Sequence, residues 1–135
     1  MLRALIAAIV FAALASPAAA LDRAAVLGDW ETEWANAAGE APEGGGELII
    51  RADSGEDGLD GLSPAPGWDG VMTGETETQA DGSLLWSGRW ASIWPEGATM
   101  GAFRVVFTGA DTFTGTWSSD DGEIVDAAFN GRRRR

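Results

Sequence analysis

Residues 84–94 read Leu84-Leu85-Trp86-Ser87-Gly88-Arg89-Trp90-Ala91-Ser92-Ile93-Trp94. Leu84, Trp86, Gly88, Trp90, Ser92 and Trp94 fall at every second position, while Ser87 and Arg89 take the positions between. A period of two belongs to a strand with one buried face. Pro95 ends the run, because proline has no N–H for a ladder.

The same alternation recurs on both sides of this stretch. Upstream, 28–35 puts Trp30, Thr32 and Trp34 on one face and Asp29, Glu31 and Glu33 on the other. Residues 47–52 and 71–78 follow, the latter with Met72, Gly74, Thr76 and Thr78 in phase. Downstream, 102–108 aligns Phe103, Val105 and Phe107 against Arg104; 112–118 aligns Phe113, Gly115 and Trp117; and 123–129 aligns Val125, Ala127 and Phe129. Asp81-Gly82 and Asp120-Asp121-Gly122 are turn signals. No stretch of 21–135 has a helical period; Leu21 to Leu27 makes one helical turn at most. The expected fold is all-β: an antiparallel up-and-down meander of about seven strands, forming a closed or partly open barrel. A two-sheet sandwich is the alternative. A membrane barrel is disfavoured because Asp29, Glu31, Glu33, Arg89 and Arg104 would face lipid. Two connections stand out: the Ala/Gly-rich 36–46 and the long acidic 53–70, which contains Trp68.

Composition limits the chemistry. The chain has 135 residues, with 21 acids and nine basic residues, all arginine. It has no histidine, cysteine, lysine or tyrosine, but seven tryptophans and 19 glycines. Thiol and imidazole nucleophiles, disulfides, Schiff bases and P-loops are excluded. Nothing implies a cofactor. Arg3, the apolar run Leu5–Leu14 and Ala18-Ala19-Ala20 read as a cleavable secretory leader over 1–20. The expected domains are therefore that leader, a barrel over 21–131 and a basic tail over 132–135. The destination is periplasmic or secreted, with no stable membrane anchor after cleavage. Residues 21–131 hold four arginines and all 21 acids, a net charge of −17. Such a surface argues against nucleic acid as a partner.

A short repeat runs through the strands: Leu27-Gly28-Asp29-Trp30, Thr73-Gly74-Glu75-Thr76, Ser87-Gly88-Arg89-Trp90 and Thr114-Gly115-Thr116-Trp117. The expectation is that each glycine makes room for an indole and eases the bend of a curling sheet. With Gly101 to Phe107, these motifs resemble the meander of avidin-type barrels, and more closely small bacterial secreted proteins with this glycine–aromatic repeat. The resemblance spans about 27–131. It implies a pocket at an open end lined by Thr32, Trp34, Thr76, Thr78, Phe107 and Phe113. The sequence departs from avidins in strand number, in Thr76 where they have tyrosine, in Thr32 where they have asparagine, and in Ala128 or Phe129 where they have tryptophan. Biotin is therefore not the implied ligand. In the wider calycin group, which includes lipocalins, a strand-1 G-x-W is covered by a basic side chain. That resemblance implies that Arg132 or Arg133 caps Trp30.

Trp34, Trp68 and Trp94 lie near strand ends or in a loop, and are the candidate contact residues for a small molecule or a protein partner. Trp30, Trp90 and Trp117 are expected in the core. Asp53, Asp57 and Asp60, with Glu56, form an oxygen-rich loop of the kind calcium favours, although the spacing is not that of an EF-hand. Glu31, Glu33, Glu75, Glu77 and Asp126 are the carboxylates available for glycoside hydrolysis, but all oppose the aromatic face. The leading functional expectation is a non-catalytic barrel binding a small apolar or sugar-like ligand or a protein. A solid-core structural or interaction module with no small-molecule ligand and contact surfaces at Trp34, Trp68 and Trp94 stands second; a homodimer through sheet edges is a further expectation for the partner. A carboxylate glycosidase stands third.

Overall fold

The computed structural model describes residues 20–135; the proposed leader falls almost wholly outside them. Eight strands form one closed antiparallel barrel in sequence order: β1 (Gly28–Trp34), β2 (Gly44–Ala52), β3 (Gly58–Ala65), β4 (Trp68–Thr78), β5 (Leu84–Trp94), β6 (Gly97–Gly109), β7 (Thr112–Ser119) and β8 (Ala127–Arg133). The meander is as expected, with one strand more than the sequence pattern shows. The extra strand is β3, inside what reads as the long acidic loop.

Closure comes from β1 pairing with β8, with Trp30 opposite Arg133 and Trp34 opposite Phe129. β8 starts four residues later than its alternation implies and runs through Arg133, so the first two tail arginines are strand residues. The two ends of the meander satisfy each other, and no sheet edge is left among the described residues for an edge-to-edge homodimer.

Alternation decides which side chains go inside. Trp30, Leu48, Ile50, Leu59, Trp86, Val105, Phe107 and Phe113 are fully buried. On the outside, Ile49, Leu62, Val71, Ala91 and Met100 form a cross-strand apolar row over β2–β6. The acids and arginines of the strands flank it.

The glycines do more than seat indoles. Gly101 lies against the Trp90 ring and the Ser118 carbonyl, while Gly74 and Gly88 face each other across β4 and β5. A methyl on either would strike the opposing strand's backbone. These glycines let neighbouring strands and the Trp90 ring approach closely.

One end is sealed. A 3₁₀ turn (Arg23–Val26) crosses it and buries Val26. Trp30 Nε1 donates to the Val26 carbonyl at 3.0 Å. Arg133 then locks the turn to the barrel. Its guanidinium stands 4.9 Å from the Trp30 ring centre and donates to the carbonyls of Leu27 (2.8 Å), Ala25 (2.6 Å) and Ala110 (2.8 Å). Gly28 has a φ of +126°, and a Cβ there would sit 3.0 Å from this guanidinium. Glycine therefore serves both the backbone and the cap. Arg132 lies outside, within 3.5 Å of Glu31.

Candidate binding cavity in the open half of the barrel

The barrel is filled from the sealed end to about its middle. Trp30, Phe107 and Phe113 pack with ring centres 5.2–5.4 Å apart, and Trp86 meets Phe103 at 4.7 Å. Phe107 and Phe113, which the avidin resemblance places in a pocket, are therefore floor. Thr76 and Thr78 are also at the sealed end. Thr76 Oγ1 donates to Asp57 O at 2.8 Å and Thr78 Oγ1 to Leu21 O at 3.1 Å. The reason is strand direction: β4 ends, and β7 begins, at the end the 3₁₀ turn covers.

Above this floor lies a cavity of about 260 Å³ that opens at the other end. Phe103, Met72, Leu48 and Phe129 form its base, and Trp34, Trp68, Trp90 and Trp117 its walls. Trp90 and Trp117 meet edge-to-face at 5.3 Å. Both indole N–H groups are committed, Trp90 to Ser118 O and Trp117 to Ala35 O, each at 2.9 Å. Both are only partly buried and both line the cavity, so they are wall residues and not closed core.

Besides Trp90 against Gly101, two more walls rest on glycines. The Trp34 ring lies across Gly44, where a Cβ would run into its pyrrole edge. The Trp68 ring lies over Gly70, whose Cβ would stand 2.9 Å from it. The Gly44-Gly45-Gly46 run, which reads as loop, is thus the first part of β2 and the seat of Trp34. Trp94 is set apart. It stands 37% exposed on the rim, in a shallow groove with Gly67, Pro95 and Glu96, which shares Trp68, Ser92 and Thr99 with the cavity.

No ionisable side chain lines the cavity. Of its hydroxyls, Thr32 donates to Gly46 O at 2.9 Å and Ser63 to Glu47 O at 2.7 Å. Among the described residues, the Ser92 and Thr99 hydroxyls and the Trp34 and Trp68 indole N–H groups have no protein partner. The site offers aromatic faces and a few weak polar groups. It has no group that can move a proton. Glu31, Glu33, Glu75, Glu77 and Asp126 are all exposed, and none reaches the cavity.

The calcium candidates are not brought together. Asp53 accepts from Gly55 N at 2.7 Å and lies 3.8 Å from Arg23. Asp60 sits on β3 opposite Arg51. Asp57 is exposed, and its carbonyl serves Thr76. Among the described residues no three acids are grouped to hold a metal ion.

The open-end loops are acidic. Glu40, Glu43, Glu96, Asp121, Glu123 and Asp126 are exposed there, with no ion pair among the described residues. Asp120 is matched by Arg89, whose guanidinium holds its carboxyl below the ordinary 3.8. Asp121 is also lowered, first by the Ser119 hydroxyl and then by Glu123 N–H.

No protein-family model and no curated protein sequence matches this chain. A solved structure of a redesigned β-barrel is similar in fold, with a TM-score of 0.62 and 13% identity over 84% of this chain and 95% of that one. The likeness is one of architecture.

Proposed function

We propose that this chain is a secreted or periplasmic, non-catalytic barrel that binds one small, compact, apolar-surfaced ligand in its open half. The observation that carries this reading is the cavity of about 260 Å³ walled by four indoles, three of them seated against glycines. An apolar cavity of ~150 Å³ is enough to take up benzene, so this one holds a ring and a substituent. Apolar lining with few polar groups is the usual make-up of a ligand site. Sugars fit less well, because their hydroxyls need more partners than Ser92, Thr99 and two indole N–H groups supply. The finer likeness to calycin- and avidin-type barrels is part of this proposal. It is supported by Gly28-x-Trp30 under the Arg133 guanidinium and by the covering 3₁₀ turn.

The test is a titration of intrinsic tryptophan fluorescence with small ring compounds, fatty acids, biotin and oligosaccharides. Saturable change with compact ring compounds is the expected result. No change with any of the panel refutes ligand binding and leaves the second reading, a barrel that acts through its outer surface.

A further inference from the structure

We infer that the cavity's ligand is a small organic cation of the quaternary ammonium type, free of any phosphate; this rests on the cavity reading above. The walls offer a positive group four indoles, Trp34, Trp68, Trp90 and Trp117, the last two meeting edge to face, and no carboxylate. The face of an aromatic ring carries negative potential, and cages of such rings hold quaternary ammonium groups without hydrogen bonds. A primary amine would need acceptors for its N–H groups. The side-chain acceptors of the cavity are the hydroxyl oxygens of Thr32, Ser63, Ser92 and Thr99, of which Thr32 and Ser63 also donate to the barrel backbone, while the indole nitrogens only donate. A methylated cation presents an apolar surface to these walls and leaves no donor unmet.

Electrostatics selects the sign. The exposed mouth carries Glu40, Glu43, Glu96, Asp121, Glu123 and Asp126, and its loops hold no arginine. The arginines of the chain's end lie at the sealed pole: Arg133 in the cap, Arg134 beside Glu47 at 3.3 Å, and Arg135 beside Asp111 at 2.8 Å. A cleft with one sign of charge at its opening concentrates ligands of the other sign. The same acids repel a phosphate, which rules against a phospholipid headgroup. The rim groove between Trp68 and Trp94, with Glu96 beside it, extends the same chemistry outward from the mouth.

The experiment uses shape-matched pairs that differ in charge: choline against 3,3-dimethylbutan-1-ol, and phenyltrimethylammonium against tert-butylbenzene. Phosphocholine and phosphatidylcholine vesicles are added as further arms. Binding is followed by calorimetry and tryptophan fluorescence. The cations are expected to bind about tenfold or more tightly than their neutral partners. That ratio should fall in high salt and in the triple variant Glu43→Gln, Glu96→Gln, Glu123→Gln, all exposed positions. Equal or tighter binding of the neutral partners overturns the cation inference and leaves the cavity reading standing. Tighter binding of phosphocholine or vesicles than of choline overturns the phosphate-free assignment. If no member of either pair binds, both the inference and the cavity reading fall.

Discussion

Changing Arg133 to methionine keeps the aliphatic stem and removes the guanidinium that ties the sealed end together. The loss is worked from its contacts. Two donated hydrogen bonds, to Leu27 O and Ala25 O, are part-buried, and those to Ala110 O are exposed. Hydrogen bonds involving a charged group contribute about 1.5–3 kcal/mol each when well shielded, and the cation–π contact adds about 1. The side chain is 23% exposed, and its Asp111 partner 51%, so the ion pair adds little. Taking the lower values for the two shielded bonds and adding the ring contact gives a cost of about 3–4 kcal/mol. For a domain of this size that lowers the Tm by about 10–15 °C. Urea and thermal unfolding followed by tryptophan fluorescence measure it, with Arg134→Met as the exposed control, expected within about 0.5 kcal/mol of wild type. Equal stability of the two variants would refute the claim that Arg133 is the lock of the barrel.

Three further perturbations separate other parts of the account. Trp86 Nε1 is buried without a partner, whereas Trp30 Nε1 is bonded to Val26 O. An unmet buried donor costs about 1–3 kcal/mol, so Trp86→Phe should destabilise less than Trp30→Phe by at least about 1 kcal/mol; chemical denaturation reads the difference, and the reverse order counts against it. Gly101→Ala should cost more than about 3 kcal/mol because its methyl meets the Ser118 carbonyl and the Trp90 ring, while Gly109→Ala, with open space around it, should be close to neutral. The carboxyls of Asp81, Asp120 and Asp121 are all held below the ordinary 3.8, by Ser83, Arg89 and Ser119 respectively. A depressed carboxylate stabilises the fold above its unfolded value. That stabilisation is lost as pH falls from about 3.8 through the lower folded value, so stability should decline in that window, and decline less in Asp81→Asn, read by urea unfolding at a series of pH values.

Strand alternation was legible wherever large side chains mark both faces. Residues 84–94 became β5 without a change of boundary, and β1 and β7 moved by one residue. β3 escaped because its inward residues are Leu59, Gly61 and Ser63, two of them too small to give a hydrophobic period. Its pairing is decided by its neighbours, with Leu62 lying between Ile49 and Val71. β8 was displaced because Asp126, with a φ of +50°, breaks the run that begins at Glu123. Asn130-Gly131-Arg132-Arg133 looks like a tail in sequence. It is a strand because Gly131 leaves room for the Phe113 ring and Arg133 reaches the cap.

The site was half legible. Trp34 and Trp68 line the cavity, as their places near a strand end and in a connection imply, and Thr32 lines it as the avidin resemblance implies. Thr76, Thr78, Phe107 and Phe113 do not, because alternation gives the face of a strand but not which end of the barrel is sealed. The cavity floor and walls, Met72, Phe103 and Phe129 with Trp90 and Trp117, were visible only as inward residues. Which of them stay uncovered depends on how far the aromatic floor rises.

The most direct test of the central claim is to plug the cavity and repeat the binding measurement. Ser92 lines the cavity and makes no hydrogen bond through its side chain among the described residues, so Ser92→Phe fills the space without stripping a bond. Calorimetric titration of a compact ring ligand should give one site per chain in the wild type. In the variant the site should be lost, with the thermal midpoint kept or raised. Undiminished binding to the plugged barrel would contradict the account.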